Sequence, residues 1–438
     1  MTDQTLPTTT SLLNRPATDR ILVWLTAGAI TLLVVAALAT WHVFPGDRQT
    51  TTEANVYYTF ADPVARGAVP YRDVTIEYPP GAIPVFLAPV WLLGPTDGAR
   101  WGEQAENDAA RRYEAALALL LVAVLAATLV VVAFTLRLLS PTVGHATRAL
   151  VIPALSPVLL GALPLTRYDA WPVLLTSLGL LAALAARTRL AGATLGLAAT
   201  AKLYPLVILP TLAVRAWRAG GRRRVAGLLA ACALAGAVVL LPFLAVAPSE
   251  TVHAVKLQLA RGLQMESLGG SLLASVWKLS LSLKAHGVLS GSLPVAACQR
   301  CDGIVAAQLT GTLATITGLV SLVAVVAVLV VSARRTLAAT DERTAIVLGS
   351  AIAVTALVAL GKVLSAQFVL WLLPLVGGRR GRNASVLLVA AALMTNVWFP
   401  SLYRDYVNLL TPGSIAFLLV RNALLVGVLF VLLRREPE

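Results

Sequence analysis

Residues 187–224 read RTRLAGATLGLAATAKLYPLVILPTLAVRAWRAGGRRR. Two arginine-rich ends enclose an apolar stretch that is interrupted by Lys202 and then by Tyr204-Pro205. Chains that cross a bilayer collect their short-loop lysines and arginines on one side. If Arg187 and Arg189 share a side with Arg215–Arg224, the stretch must run out and come back. A full helical crossing takes roughly 20 residues, and the about 25 residues between Arg189 and Arg215 are too few for two of them. The stretch therefore reads as a hairpin of short helices, broken where proline removes a backbone donor. Short, broken helices imply a cavity or a thinned membrane at the hairpin tip.

The rest of the chain supports a bilayer setting. Of its 438 residues 58% are apolar before the 31 glycines are counted, and only 13% are charged. Soluble domains run at about 45–50% apolar with glycine included and about 25% charged. The mean hydropathy is +0.80. Too few polar residues remain to coat a soluble surface, which excludes a soluble enzyme, a disordered protein and a secreted disulfide scaffold. Unbroken apolar runs, without strict alternation, point to helices rather than a barrel. The expected fold is an all-α polytopic membrane protein of about 12 transmembrane helices.

The crossings are read at Ile21–Val43, Ala115–Leu136, Ala149–Leu165, Trp171–Ala186, Leu190–Ala201, Leu203–Ala213, Val225–Ala247, Gln308–Val331, Ala345–Leu360, Phe368–Val376, Ala384–Val397 and Ser414–Leu433. The proline-rich run Gly81–Leu93 is shorter than the roughly 17 residues a span needs and is read as interfacial or re-entrant. With the N-terminus inside, the inside segments hold 19 basic residues and six acids, and the outside segments hold 15 of each. Arg421 is left within the last helix. The net charge of +14 is thus a topology signal, and no nucleic-acid partner is expected. Residues 1–20 form a disordered cytoplasmic tail in this reading, and 21–435 a single membrane domain. Two outside loops are long, 44–112 and 248–307, and the first carries interfacial helices.

Familiar catalytic signatures (a Walker loop, GxSxG, HExxH, zinc spacing) do not occur. Cys298 and Cys301 form a solitary CxxC in an outside loop, which reads as a local disulfide or idle thiols. The four histidines are scattered, so no metal is expected. The informative residues lie on the outer face. Arg72, Asp73 and Glu77 are compressed against the Pro79-Pro80 entry into the bilayer. Arg167 and Asp169 cap one hairpin, Lys202 the next, and Lys362 and Gln367 a third. Arg261 and Glu266 lie in the second long loop, and Arg404 in the last one. Any one of these is also what a snorkelling anchor or a helix cap looks like. Together they gather acids and cations at one depth, which points to a charged cavity at the outer leaflet.

The ordered set VYYTFADPVARGAVPYRDVTIEYPP (56–80), TRYDAWPVLLTSLGLLAAL (166–184), AGATLGLAATAKLYPL (191–206), RGLQMESLGGSLL (261–273) and GKVLSAQFVLWLLPL (361–375) resembles glycosyltransferase family 87. That family belongs to the superfamily C transferases and includes polyprenol-phosphate-mannose-dependent mannosyltransferases. The resemblance implies a plasma-membrane transferase whose site faces outward. Its donor would be a polyprenyl-phosphate sugar held in membrane lipid, its acceptor a glycolipid or glycan, with no cofactor. In the family a catalytic aspartate lies four residues before the first-loop tyrosine. Counting back from Tyr57 gives Glu53, a glutamate where the family has aspartate, and Asp73 and Glu77 remain alternatives. Asp169 matches the second acidic position. A carboxylate must take the acceptor proton, and Lys202, Arg261, Lys362 and Arg404 are candidates to hold the phosphate leaving group. The competing expectation is a transporter or flippase of lipid-linked sugars, which would place ionisable residues near the midplane, often within inverted repeats.

Overall fold

The computed structural model describes residues 15–43, 53–94, 103–288, 290, 292–301, 304–376 and 381–434. It is a helical bundle with one small sheet. In chain order the helices are α1 (Arg15–Val43), α2 (Glu53–Ala65), α3 (Ile83–Leu93), α4 (Glu103–Leu139), α5 (Val143–Ala154), α6 (Ser156–Leu160), α7 (Leu163–Thr166), α8 (Ala170–Leu184) and α9 (Thr188–Ala201). Then come α10 (Leu209–Val246), α11 (Pro248–Ala260), α12 (Leu268–Ala285), α13 (Thr312–Ala338), α14 (Glu342–Leu360), α15 (Gly381–Val397), α16 (Tyr403–Leu409) and α17 (Pro412–Leu433).

Among the described residues seven helices are long and apolar enough to cross a membrane: Asp19–Val43, Asp108–Leu139, Tyr204–Val246, Thr312–Ala338, Glu342–Leu360, Arg382–Leu409 and Pro412–Leu433. The chain is a multi-pass membrane protein. Several of the other expected crossings are shorter or broken elements. The run 149–165 falls into α5, α6 and α7, with Pro153, Pro157 and Pro164 at the breaks and Gly161 at φ 63°. The run 368–376 opens in a buried 3-10 helix, Ala366–Leu372, rather than an α-helical span. The run from Gln308 begins as a strand and turns helical only at Thr312.

That strand belongs to one small sheet in an otherwise helical chain. Leu263–Gln264 (β1), Ala296–Cys301 (β2) and Ile304–Thr310 (β3) make an antiparallel sheet in the order β1-β3-β2 within the second long loop. Cys298 and Cys301 lie on β2, but their side chains fall outside the described part.

The hairpin at 187–224 takes a specific form. α9 packs on α8 through Gly179, where a Cβ would meet Thr194 and Leu195 at 3.0–3.1 Å. After Lys202 the chain turns through a 3-10 helix, Tyr204–Ile208, and descends to Arg215, whose Nε donates to the Ala183 carbonyl near the far end of α8. The helix α10 is broken at Gly220 and Gly221, the latter at φ 60° and ψ −153°. Its second arm then climbs beside α9 in parallel. A Cβ on Gly192 would lie 2.1 Å from the Leu228 carbonyl oxygen, and one on Gly196 2.1 Å from that of Cys232. Arg187 and Arg189 thereby meet Arg223 and Arg224 around one cleft.

Other basic residues contact helix ends at this same end of the bundle. Arg137 pairs with Asp19 at 2.8 Å and Arg215 with Glu342 at 2.6 Å. Arg218 donates to the Ala339 carbonyl, Arg343 to that of Leu138 and Arg335 to that of Leu433.

Candidate functional site

The opposite end of the same helices holds a buried ion pair. Asp169 precedes the first turn of α8, and Lys202 terminates α9 in an extended conformation. Their contact, Lys202 Nζ to Asp169 Oδ1, is 2.7 Å. Trp371 Nε1 donates to the same carboxylate oxygen at 2.7 Å from the 3-10 helix Ala366–Leu372. Asp169 is 0% exposed, and its second oxygen, Oδ2, has no partner. The ammonium sits among rings: Tyr168 at 4.9 Å, Phe368 at 5.1 Å and Trp371 at 5.4 Å. Trp371 is sandwiched between Tyr204 and Phe368, with centroids 4.0 Å away on each side. Burial pulls the Lys202 ammonium down to about 8, against the opposing pull of Asp169.

Two more cations converge here. Arg167 and Arg261 both stand close enough to Lys202 to disfavour its charge. Arg167 lies over the Phe399 ring at 5.4 Å and is attracted by both Asp169 and Glu266. The Nε of Arg261 is buried without a partner. Glu266 accepts from Trp398 Nε1 at 2.9 Å through its carboxylate. Its backbone carbonyl accepts from Arg421 and Asn422, each at 3.2 Å. Burial raises the Glu266 carboxyl, offset by Arg421 and Arg167. Arg421 is fully buried, with Nε and one terminal nitrogen unpartnered.

The first loop reaches this cluster through its proline corner. Pro79 and Pro80 open a one-turn 3-10 helix, Pro80–Ala82, and Gly81 abuts the end of α9. A Cβ there would fall 2.3–2.6 Å from Thr200 and Ala201, so only glycine permits the approach. Trp171 Nε1 seals it by donating to the Gly81 carbonyl at 3.2 Å. Tyr57 is fully buried, stacked on Phe86 at 4.3 Å and edge-on to Tyr168 at 5.9 Å. Glu53 opens α2 one turn before Tyr57, but its side chain lies outside the described part. Arg72 and Asp73 are exposed and make a two-pronged ion pair, 2.9 Å on each arm. Asp73 also accepts from the Val69 N–H at 2.8 Å. These bonds hold its carboxyl down at about 2. Glu77 is exposed in a recess shared with Glu250 and His253, and its carbonyl accepts from Gln258.

Of the residues expected from sequence, the structure therefore gathers Asp169, Lys202, Arg167, Arg261 and Glu266, with Tyr57 packed beneath them. Gln367 is buried on the same 3-10 helix as Trp371. Lys362 contributes a carbonyl that accepts from the Gln264 N–H at 2.9 Å. Arg404 is exposed on α16. Sequence reasoning missed Trp371, Trp398 and the Glu266–Arg421 contact. Both tryptophans sit in apolar runs where an indole reads as core, and only the unpaired charge of Arg421 hinted at a buried partner. No group of three or more His, Cys, Asp or Glu able to hold a metal occurs among the described residues.

Three cations around two acids, with unpartnered buried donors, form a site suited to an anion. The chain matches no protein-family model and no curated protein.

Proposed function

We propose that the protein is an integral membrane glycosyltransferase that moves a hexose, with mannose the first candidate, from a polyprenyl-phosphate sugar to a glycolipid or glycan acceptor at the outer face of the plasma membrane. The observation that carries this reading is the convergence of Arg167 and Arg261 on the buried Lys202–Asp169 ion pair, with Arg261 Nε unpartnered. A membrane-anchored phosphate answers that charge, and the motif resemblance to glycosyltransferase family 87 supplies the sugar.

In the proposed reaction a first-loop carboxylate takes the proton of the acceptor hydroxyl. The acceptor oxygen bonds to the anomeric carbon, and the bond from that carbon to the phosphate oxygen breaks. Polyprenyl phosphate leaves with the bonding pair, stabilised by the cations. One displacement inverts the anomeric centre. Glu53 is the first choice of base, by its spacing to Tyr57. Asp73 is a weaker choice because Arg72 and the Val69 N–H already occupy its oxygens.

The test is transfer from a labelled polyprenyl-phosphate hexose by the purified protein in liposomes. Glu53→Gln should fold normally and lose on the order of 100-fold in turnover. Arg261→Ala should raise the donor KM more than it lowers kcat. Wild-type transfer should weaken as pH rises through about 8, where Lys202 gives up its proton. A wild-type protein that moves the intact labelled lipid across the bilayer without breaking the sugar–phosphate bond would make it a flippase and overturn the reading.

A further inference from the structure

The end of the bundle remote from Asp169 and Lys202 carries a second concentration of positive charge that the proposed reaction does not use. Arg187, Arg189, Arg223 and Arg224 line one open cleft between the α8–α9 turn and the break in α10, and Arg222 adjoins it. All five side chains are exposed. Arg189 lies across Gly227, 3.6 Å from where a Cβ would stand. No carboxylate lines the cleft, and among the described residues no acid pairs with any of the five. Their neighbours Arg215 and Arg218 are engaged elsewhere, by Glu342 and the Ala339 carbonyl.

A basic excess on one side of a membrane protein requires no convergence, since topology is set by charge count alone. Here the fold forces convergence. The contacts of Gly192 with Leu228 and of Gly196 with Cys232 hold α9 and the second arm of α10 parallel, so their first turns arrive side by side. Each brings the positive end of its helix dipole to a cleft already lined with guanidinium groups. The Arg187 side chain does not cap α9. Such an array repels itself unless an anion sits between the charges.

The surroundings indicate where that anion comes from. Below the cleft, Leu229, Leu234, Val238 and Leu241 of α10 are exposed apolar residues. In this second arm of α10, residues 225–246, only Leu228 and Cys232, which face α9, are buried. A headgroup phosphate in the cleft would leave its acyl chains lying along this face, whereas a free phosphate would leave the face unused.

We infer that the cleft between Arg187, Arg189, Arg223 and Arg224 is a binding site for the phosphate of an anionic membrane lipid. Guanidinium groups bind phosphate oxygens in pairs and at fixed geometry, which makes the site more selective than a diffuse basic surface. Because the site lies at the other end of α9, its occupancy is measurable without any transfer assay.

The experiment places the full chain in phosphatidylcholine nanodiscs doped with phosphatidylglycerol and measures retained lipid by native mass spectrometry. The wild type should hold phosphatidylglycerol in preference to phosphatidylcholine. Arg189→Gln with Arg223→Gln should weaken that retention roughly tenfold or more. The control Arg334→Gln with Arg382→Gln removes equal charge at the same end and should change it little. Equal loss in both double variants would reduce the cleft to a diffuse charge effect and overturn the site. Absence of preference in the wild type, or full displacement by millimolar inorganic phosphate, would overturn it as a lipid site.

Discussion

The two ends of α9 carry the same kind of charge in opposite settings. At one end Lys202 is enclosed by rings and tied to Asp169 at 2.7 Å. At the other, Arg187 and Arg189 are exposed and face two more arginines across a cleft. A buried charge must be matched by fixed partners, because desolvation otherwise costs several kcal/mol. An exposed one is screened and can wait for a mobile counterion. One helix thus presents a built ionic site where it ends and an open one where it starts. Only the first should be sensitive to removal of a single partner.

The largest expected effect tests that asymmetry. Lys202→Met leaves the Asp169 carboxylate buried with only Trp371, and should lower stability by about 3–5 kcal/mol. Asp169→Asn combined with Lys202→Met should recover most of the loss, because neither charge is then stranded. Arg187→Met at the other end should be close to neutral. Denaturant unfolding in detergent micelles measures all four proteins. A double variant no more stable than Lys202→Met would mean that the two side chains do not act as a pair and that the ends are not different in kind.

A smaller effect tests whether the two ends are rigidly joined. Gly196→Ala drives a methyl to 2.1 Å from the Cys232 carbonyl oxygen, so α9 and the second arm of α10 must part. A loss of about 1–3 kcal/mol is expected. Gly28 on α1 has nothing within 4 Å of its Cβ position. There alanine should stabilise by up to about 1 kcal/mol through helix propensity alone. If both changes shift the melting temperature alike, the parallel contact is loose and the arginine cleft loses the geometry that assembles it.

Much of this contrast was legible before any fold was known, and the reason is physical. Membrane chemistry writes itself into composition: apolar runs and proline breaks mark seven of the twelve expected crossings as long helices and give the broken hairpin at Tyr204-Pro205. It does not write down which distant residues touch. The partners of Asp169 lie 33 and 202 positions away, at Lys202 and Trp371. Glu266 meets Arg421 across 155 positions. The sheet of the second loop was hidden because residues 304–310 are a short, mostly apolar run leading into an apolar helix, and such a run does not distinguish strand from helix. Short elements such as α6 and α7 were likewise merged into one span, since hydropathy persists through a proline break that hydrogen bonding does not.

The smallest expected effect concerns an ion pair outside both ends. Asp73 is held by Arg72 and by the Val69 N–H, in solvent, with its carboxyl lowered to about 2. In the unfolded chain an aspartate titrates near about 3.9. A group whose folded pKa is depressed adds stability that is fully present above the unfolded value and fades as pH falls through the folded one. The difference in melting temperature between wild type and Asp73→Asn should therefore be constant from pH 5 to pH 8 and shrink only toward pH 2. Added salt should reduce it at every pH, since both partners face water. A proton acceptor tuned for catalysis would behave otherwise, with an elevated pKa and a difference that changes between pH 5 and pH 8. That outcome would move the base from Glu53 to Asp73. A flat profile leaves Asp73 as a brace for the turn at Tyr71, whose φ of 68° needs the Val74 and Val69 bonds around it to persist.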